Sequence, residues 1–224
     1  MAIRQITWQG SRFDLHYEIL HPERDALLLF LHGWGSHKEI MRQAFGTQCS
    51  GYQHLYLDLP GFGKSSNDQV LDTASYASIV RAFLQELGVA PKIIVGHSFG
   101  GKVATLLAPP HLVLLSSSGI PVKKPPLVQL KIALAKWFKP LLGAKARSLF
   151  MTDDAKGMPE HMYETLKKVV DEDFSASFQH YQGRAYIFWG REDRATPLES
   201  GQRIAELIDR ADFIPLEGDH YFFL

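Results

Sequence analysis

The sequence has very little cysteine and no excess of either charge, and these absences exclude several classes of protein. Cys49 is the single cysteine among 224 residues, so no internal disulfide can form. The 24 basic and 24 acidic side chains cancel, which removes the overall positive charge that attracts nucleic acids and anionic membranes. We therefore expect neither nucleic acid nor a membrane as a partner.

Features of export and of membrane insertion are also missing. The first ten residues lack the apolar core of a signal peptide, which together with the single cysteine predicts a cytoplasmic protein. The longest stretch without Asp, Glu, Lys or Arg runs from Val103 to Val122, but Pro109 and Pro110 interrupt it. Because a proline pair breaks a membrane helix, we predict a core helix, a turn and a buried strand there.

Motifs for metals and nucleotides are absent as well. The sequence contains no His-Glu-x-x-His and no histidine pair placed with carboxylates for zinc, so we expect no metal and no other cofactor. Residues 58–65 end in Gly-Lys-Ser like a phosphate-binding loop, but Asp58 stands where such a loop begins with glycine. Pro60 also lacks an N–H group to offer a phosphate, so we reject an NTPase.

Two hydrophobic patterns alternate along the chain. Residues 12–19 alternate apolar and polar side chains, typical of a strand with one wet face, and residues 3–8 are predicted to pair with them. Six later apolar runs are typical of strands buried on both faces: 26–31, 54–57, 92–95, 112–115, 185–189 and 213–216. Helical spacing is clearest at Ala74–Leu87, before Gly88, and recurs at Ser200–Ile208. The alternation predicts an α/β fold, with a mostly parallel, twisted sheet and helices on both faces.

One segment departs from this alternation. Residues 119–182 have three prolines near their start, followed by apolar helical patterns around Leu127–Phe138 and Met162–Val170. We interpret this segment as a helical lid, inserted into a core made of residues 1–118 and 183–224.

Residues 93–102 carry the strongest chemical signal. An apolar strand runs into Gly-His-Ser-Phe-Gly at 96–100 and then into a helical segment, which is the nucleophile-elbow pattern. The flanking glycines permit the sharp turn that raises the Ser98 hydroxyl above the sheet. Ser98 is therefore the candidate nucleophile, at a helix N-terminus where N–H groups can stabilise an oxyanion.

A serine nucleophile needs a base and an acid, which in sheet-based hydrolases follow it in the order acid, then histidine. His220 is the single histidine after position 180 and follows the last apolar strand, so it is the candidate base. Asp193 and Glu192 both follow the strand at 185–189. We take Asp193 as the candidate acid because it lies nearer the next helix start, and keep Glu192 as the alternative.

The strand that ends at Leu31 leads into a second glycine-containing loop, with glycines at 33 and 35. An N–H group of this loop can point at the same oxyanion as the N–H group that follows the nucleophile. Trp34 and Phe99 are therefore the candidate oxyanion-hole donors. Trp34 is equally compatible with a place among the core aromatics.

Five ordered motifs together resemble the α/β-hydrolase fold superfamily. They are His-Gly-Trp-Gly at 32–35, Asp-Leu-Pro-Gly-Phe-Gly-Lys-Ser at 58–65, Gly-His-Ser-Phe-Gly-Gly at 96–101, Gly-Arg-Glu-Asp at 190–193 and Gly-Asp-His at 218–220. The resemblance implies Ser98 as nucleophile, His220 as base, Asp193 as acid and a lid at 119–182. Family members normally continue into a closing helix after the histidine, whereas this sequence ends at Leu224, so we expect His220 to be held less rigidly.

The resemblance leaves several reactions open. The motifs at 32–35 and 58–65 look most like esterases that cleave methyl esters of carrier-protein-bound acyl chains, and residues 168–174 are similar to hydrolases of ring-cleavage dienoates. We expect a cofactor-free serine hydrolase that cleaves a carboxylic ester or thioester of a small to medium acyl chain through an acyl-enzyme. The alternatives are a carbon–carbon hydrolase of dienoate ketones and a non-catalytic binding protein on the same fold.

The predicted lid adds an expectation about the substrate and its carrier. Between Gly119 and Phe150 the sequence has seven basic residues and no acid, which suggests a site for an anionic partner such as an acidic carrier protein. A solvated helix face explains these charges equally well. The apolar side chains on the predicted underside of the lid are expected to bind the acyl group: Leu127, Leu130, Leu134, Trp137 and Phe138.

Overall fold

The computed structural model describes residues 2–121 and 158–224, which contain one eight-stranded sheet. In chain order the strands are β1 (Ala2–Trp8), β2 (Ser11–Leu20), β3 (Leu27–Leu31), β4 (Gln53–Leu57), β5 (Ile93–His97), β6 (His111–Leu115), β7 (Arg184–Gly190) and β8 (Ala211–Leu216). Across the sheet their order is β1-β2-β4-β3-β5-β6-β7-β8. The pairs β1–β2 and β2–β4 are antiparallel, and every pair from β4 to β8 is parallel.

Six helices lie within the described ranges. They are α1 (Lys38–Phe45), α2 (Thr73–Leu87), α3 (Phe99–Leu107), α4 (Glu160–Val169), α5 (Ser175–His180) and α6 (Leu198–Leu207). Helix α2 covers the predicted Ala74–Leu87, and the Asp72 carboxylate caps its start by accepting a hydrogen bond from the Ser75 N–H group at 2.8 Å. Helix α1 is not among the elements predicted from the sequence, because it is only eight residues long and its buried side chains are Lys38 and Met41.

Strand β3 shows why the central strands are apolar throughout. Its Leu27, Leu29 and Leu31 belong to one core, which also contains buried residues of α2, α3 and α6. The alternate residues Leu28 and Phe30 belong to a second core, which includes Met41 of α1. The sheet is therefore covered by helices on both faces, which confirms the predicted α/β fold.

The predicted lid segment is described only in part. Helix α4 matches the pattern predicted at Met162–Val170, and the Thr165 hydroxyl oxygen accepts a hydrogen bond from the N–H group of Leu71 in the core at 3.0 Å. The other predicted helix, Leu127–Phe138, lies outside the described residues, and the lid boundaries stay predictions.

In the part of the chain that the structure describes, no helix combines the length and apolar character needed to span a membrane.

Candidate active site

The carboxyl ends of four parallel strands bring the predicted site residues to one edge of the sheet. Trp34 lies in the loop after β3, Ser98 follows β5, Asp193 follows β7 and His220 follows β8. Ligands of open α/β sheets bind at this edge, because the loops that leave the strands there are free to vary. Residues far apart in the sequence can therefore act on one substrate.

Ser98 occupies a strained turn between β5 and α3. Its φ of 49° and ψ of −115° are unusual for a residue with a side chain. Its N–H group donates to the Leu115 carbonyl of β6 at 3.0 Å, and its carbonyl accepts from the N–H groups of Gly101 and Ser118 at 3.0 and 3.1 Å. These hydrogen bonds hold the turn that presents the hydroxyl.

The two glycines that flank this turn are required by close backbone contacts. A Cβ atom on Gly96 would lie 2.5 Å from the carbonyl oxygen of Gly100. A Cβ atom on Gly100 would lie 2.5 Å from the carbonyl oxygen of Leu31, at the end of β3. The elbow therefore packs directly against the start of the candidate oxyanion loop.

Asp193 and His220 form a hydrogen-bonded pair. Oδ2 of Asp193 lies 2.7 Å from Nδ1 of His220. An imidazole that faces a carboxylate carries its proton on that nitrogen, which leaves Nε2 available as a base. Burial raises the pKa of Asp193, but hydrogen bonds from His220 and Thr196 outweigh it and lower the pKa to about 2. Asp193 is therefore ionised at neutral pH.

The surroundings of Asp193 distinguish it from Glu192. Its side chain is fully buried, and Oδ1 accepts hydrogen bonds from the N–H groups of Ala195 and Thr196 at 2.8 and 2.9 Å. The Thr196 hydroxyl donates to Oδ2 at 2.8 Å. Glu192 is exposed to solvent. Sequence reasoning uses Thr196 only as a sign of a helix start, although a threonine three residues after an aspartate also signals a local side-chain hydrogen bond.

The ring of His220 also lies beside the elbow. Its centroid is 4.7 Å from that of His97, the residue that precedes Ser98. Among the described residues the Ser98 hydroxyl has no hydrogen-bond partner, so the expected link from His220 to Ser98 stays a prediction. In enzymes without substrate this hydrogen bond is often long and shortens when the substrate binds.

The backbone near Trp34 and Phe99 has the features of an oxyanion site. A Cβ atom on Gly33 would lie 3.1 Å from Cβ of Ser98, so the loop after β3 reaches the candidate nucleophile. Phe99 is the first residue of α3, and its N–H group has no partner within the helix. The Trp34 ring packs at 5.5 Å from that of Phe99 and at 4.8 Å from that of Phe62, so it is also a core aromatic.

A cavity of about 400 Å³ opens at Ser98, which is within the size range of small-molecule sites. Its apolar wall includes Trp34, Phe99, Ile120, Leu166 and Val169. These side chains favour an acyl group over a strongly polar ligand. The predicted acyl-binding residues lie outside the described residues: Leu127, Leu130, Leu134, Trp137 and Phe138.

A buried lysine fixes one wall of this cavity. Nζ of Lys102 donates to Oε2 of Glu172, which lines the cavity, at 3.0 Å, and to the Val169 carbonyl at 2.6 Å. The Thr73 hydroxyl donates to the same carboxylate oxygen at 2.5 Å. Burial lowers the pKa of Lys102, and Glu172 partly offsets this. Sequence reasoning misses this pair because 70 positions separate its members and no local pattern encodes the contact.

Residues 58–65 close around a protein carboxylate. Asp58 accepts hydrogen bonds from Nζ of Lys38 at 2.7 Å and from the N–H groups of Lys38 and Lys64 at 2.8 and 3.1 Å. The side chains of Asp58 and Lys38 are both fully buried. The carboxylate thus takes the place that a phosphate would need, which agrees with the rejection of a nucleotide-binding loop.

Three comparisons relate this chain to known proteins. The sequence model of the alpha/beta hydrolase family matches residues 28–224. The uncharacterized hydrolase YugF of Bacillus subtilis is 26% identical over 90% of this chain and 85% of its own length. A 2-hydroxy-6-oxononadienedioate/2-hydroxy-6-oxononatrienedioate hydrolase of Paraburkholderia phymatum is 25% identical over 91% of this chain and 83% of its own length.

A search of solved structures finds the same fold. A thermophilic esterase from Thermogutta terrifontis superposes with a TM-score of 0.71 and 17% identity, over 99% of this chain and 92% of that chain. At 17% identity this structural similarity shows only a shared fold. Membership of the family is shown by the sequence model, which matches residues 28–224. The resemblance inferred from the five motifs is confirmed, and the chain belongs to the alpha/beta hydrolase family.

Proposed function

We propose that this protein is a cofactor-free serine hydrolase that cleaves a carboxylic ester or thioester of a small to medium acyl chain. The observation that carries the proposal is the 2.7 Å contact between Asp193 and His220, at the sheet edge where the elbow presents Ser98 to a cavity. Nucleophile, base and acid in this relation can form and hydrolyse an acyl-enzyme.

In the first half of the proposed reaction, Nε2 of His220 takes the proton of Ser98 while Oγ bonds to the substrate carbonyl carbon. The carbonyl oxygen becomes an oxyanion and accepts hydrogen bonds from the backbone N–H groups of Trp34 and Phe99. The carboxylate of Asp193 stabilises the imidazolium of His220. The C–O or C–S bond then breaks, and the leaving alcohol or thiol takes the proton from His220.

In the second half, water replaces the leaving group. Nε2 of His220 takes a proton from the water as its oxygen bonds to the acyl carbon of the Ser98 ester. The second tetrahedral intermediate collapses, Ser98 regains its proton from His220, and the carboxylic acid leaves. Every proton moves between Ser98, His220, water and the leaving group, so the cycle restores the enzyme.

Carbon–carbon hydrolysis of a dienoate ketone is the second candidate, and the Paraburkholderia phymatum relative favours it. The name of that relative describes a substrate with two carboxylates. Among the described residues that line the cavity none is Lys or Arg, whereas Asp171 and Glu172 are present. A dianionic substrate would find no Lys or Arg partner among the described residues of this wall, and Lys102 is already paired with Glu172, so these residues favour an uncharged ester.

A fluorophosphonate probe tests the nucleophile. The probe should add one label to the native protein, on the peptide that contains Ser98, and none to Ser98→Ala. Equal labelling of both proteins would overturn the proposal. Turnover of p-nitrophenyl butyrate and of a 2-hydroxy-6-oxo-dienoate, compared as kcat/KM, decides between the two reactions.

An acidic carrier protein as the source of the acyl substrate is a further part of the proposal. It rests on the seven basic residues between positions 119 and 150, which lie outside the described residues. The test is kcat/KM for one acyl ester, carrier-bound and free, across a salt series, because salt screens exposed charges beyond about 8 Å at physiological ionic strength. As the salt concentration rises, kcat/KM should fall for the carrier-bound ester and stay unchanged for the free ester. Charge reversal at Lys123, Lys124 and Lys131 should remove this difference between the two esters. An identical salt response of both esters would leave a free small molecule as the substrate.

A further inference from the structure

His97 lies inside the elbow motif, yet the mechanism above makes no use of its side chain. It is the last residue of β5 and is 1% exposed. Its ring centroid lies 4.7 Å from that of His220 and 4.9 Å from those of both Tyr221 and Phe223. The neighbour of the candidate nucleophile is therefore packed against the segment that carries the candidate base.

A directional contact joins His97 to this segment. Nε2 of His97 lies 3.0 Å from the backbone carbonyl oxygen of His220. A carbonyl oxygen can only accept, so Nε2 carries the proton and donates it. The hydrogen bond thus runs from the strand of the nucleophile to the main chain of the base.

The other ring nitrogen of His97 argues against a role in packing alone. Nδ1 is buried and has no hydrogen-bond partner among the described residues. An unpaired buried acceptor is unfavourable, and an apolar side chain in the same aromatic cluster would avoid that cost. The feature that distinguishes histidine from an apolar residue here is the hydrogen bond that Nε2 donates.

The same ring also abuts the candidate oxyanion loop. A Cβ atom on Gly33 would lie 2.9 Å from Nδ1 of His97. Gly33 immediately precedes Trp34, so the buried side chain of His97 contacts both the candidate oxyanion loop and the main chain of His220. The next residue along the chain is the candidate nucleophile, Ser98.

We infer that His97 is a positioning residue, whose Nε2–H group holds the main chain of His220 so that its imidazole stays between Asp193 and Ser98. The other backbone hydrogen bonds that the structure describes for residues 219–224 are local to that segment. The inference rests on the proposed serine hydrolase function. It accounts for how the main chain of His220 is held beside the elbow.

A matched pair of variants separates the hydrogen bond from packing. His97→Gln places an N–H donor near the position of Nε2, whereas His97→Met has a similar length and no donor. We expect His97→Met to lower kcat for p-nitrophenyl butyrate about ten-fold or more with KM nearly unchanged, since small displacements of a catalytic group are costly. We expect the kcat of His97→Gln to stay within about three-fold of the native value, because the glutamine amide can still donate a hydrogen bond to the carbonyl of His220.

The control is His111→Gln, because His111 is exposed at the opposite end of the neighbouring strand β6. Thermal unfolding of each variant shows whether it is folded at the assay temperature. Equal kcat for His97→Gln and His97→Met in folded proteins would overturn the inference.

A measurement on the native protein keeps the inference testable without a variant. In a ¹⁵N-histidine NMR spectrum His97 should be neutral, with its proton on Nε2, and an Nδ1–H tautomer would overturn the inference. This readout needs no turnover. Failure of the native protein to react with a fluorophosphonate would contradict the proposed function instead, so the two failures are distinguishable.

Discussion

Oδ2 of Asp193 and Nδ1 of His220 lie 2.7 Å apart, although 27 positions separate the two residues in the sequence. The sheet explains this proximity, because β7 and β8 are adjacent parallel strands with Gly190 beside Leu216. The loops that follow these strands therefore start side by side. The candidate acid and base are aligned by the fold before any substrate binds.

Asp193→Asn should remove most of the activity without unfolding the protein. Asparagine keeps the shape of the side chain but cannot stabilise an imidazolium, and it favours the wrong tautomer of His220. We expect kcat to fall by about four powers of ten, as for the corresponding change in a serine protease. Glu192→Gln is the control and should stay close to native, since Glu192 is exposed. A comparable loss in Glu192→Gln would contradict the assignment of the acid.

Thr196→Val should impair the same pair more mildly. Valine has the shape of threonine but cannot donate to Oδ2 of Asp193, where the hydroxyl now lies at 2.8 Å. Loss of one hydrogen bond to a charged group costs about 1.5–3 kcal/mol, so we expect kcat to fall by about ten-fold or more. Thr196→Ser keeps the hydroxyl and should retain most of the activity. Equal steady-state kinetics for the two variants would show that the hydroxyl has no such role.

The pair of Lys102 and Glu172 should be coupled in stability. Lys102→Met leaves the Glu172 carboxylate without its charged donor, and we expect the free energy of unfolding to fall by about 2–3 kcal/mol. Adding Glu172→Gln should restore part of this loss, because the uncharged amide needs no cation. Urea unfolding of the two single variants and the double variant gives the coupling energy. Strict additivity would contradict a direct interaction, and Lys167→Met serves as an exposed control.

The fold is largely predictable because its local patterns are strong. The apolar runs and the helical spacing at 74–87 report burial on a sheet or on a helix face, and the structure has elements at each of these places. Helix α1 escapes prediction because one of its two buried residues is Lys38, held by Asp58. Burial of a charged residue by a distant partner leaves no mark in a hydrophobic pattern.

The candidate site is predictable only where its residues belong to ordered motifs. Ser98 and His220 stand in such motifs, and the structure places both at one edge of the sheet. The contacts of His97 and Glu172 are different, because each joins segments that only the sheet topology and the packing bring together. Even the choice between Asp193 and Glu192 depends on which adjacent side chain points inward, which sequence spacing alone does not determine.

Buried histidines should make the protein less stable as the pH falls below neutrality. Burial lowers the pKa of His32 to about 4 and that of His97 to about 3, from an ordinary value of 6.5. Both pKa values are lower in the folded protein than in the unfolded chain. Below pH 6.5 the unfolded chain therefore binds protons at these histidines that the folded protein does not bind. Each group then reduces the free energy of unfolding by up to about 1.4 kcal/mol per pH unit. The loss begins near pH 6.5 and ends near the folded-state pKa of each histidine.

Urea unfolding at a series of pH values between 7 and 4.5 measures this loss. Glutamine does not titrate in this range, so the stability of His97→Gln should fall less steeply with decreasing pH, by the share of one histidine. A His97→Gln curve parallel to the native one would mean that His97 takes up its proton in the folded protein at an ordinary pH. That result would contradict the expectation that His97 stays neutral below pH 6.5 while its Nε2–H group donates to the carbonyl of His220. His97 would then contribute nothing to the loss of stability at acid pH.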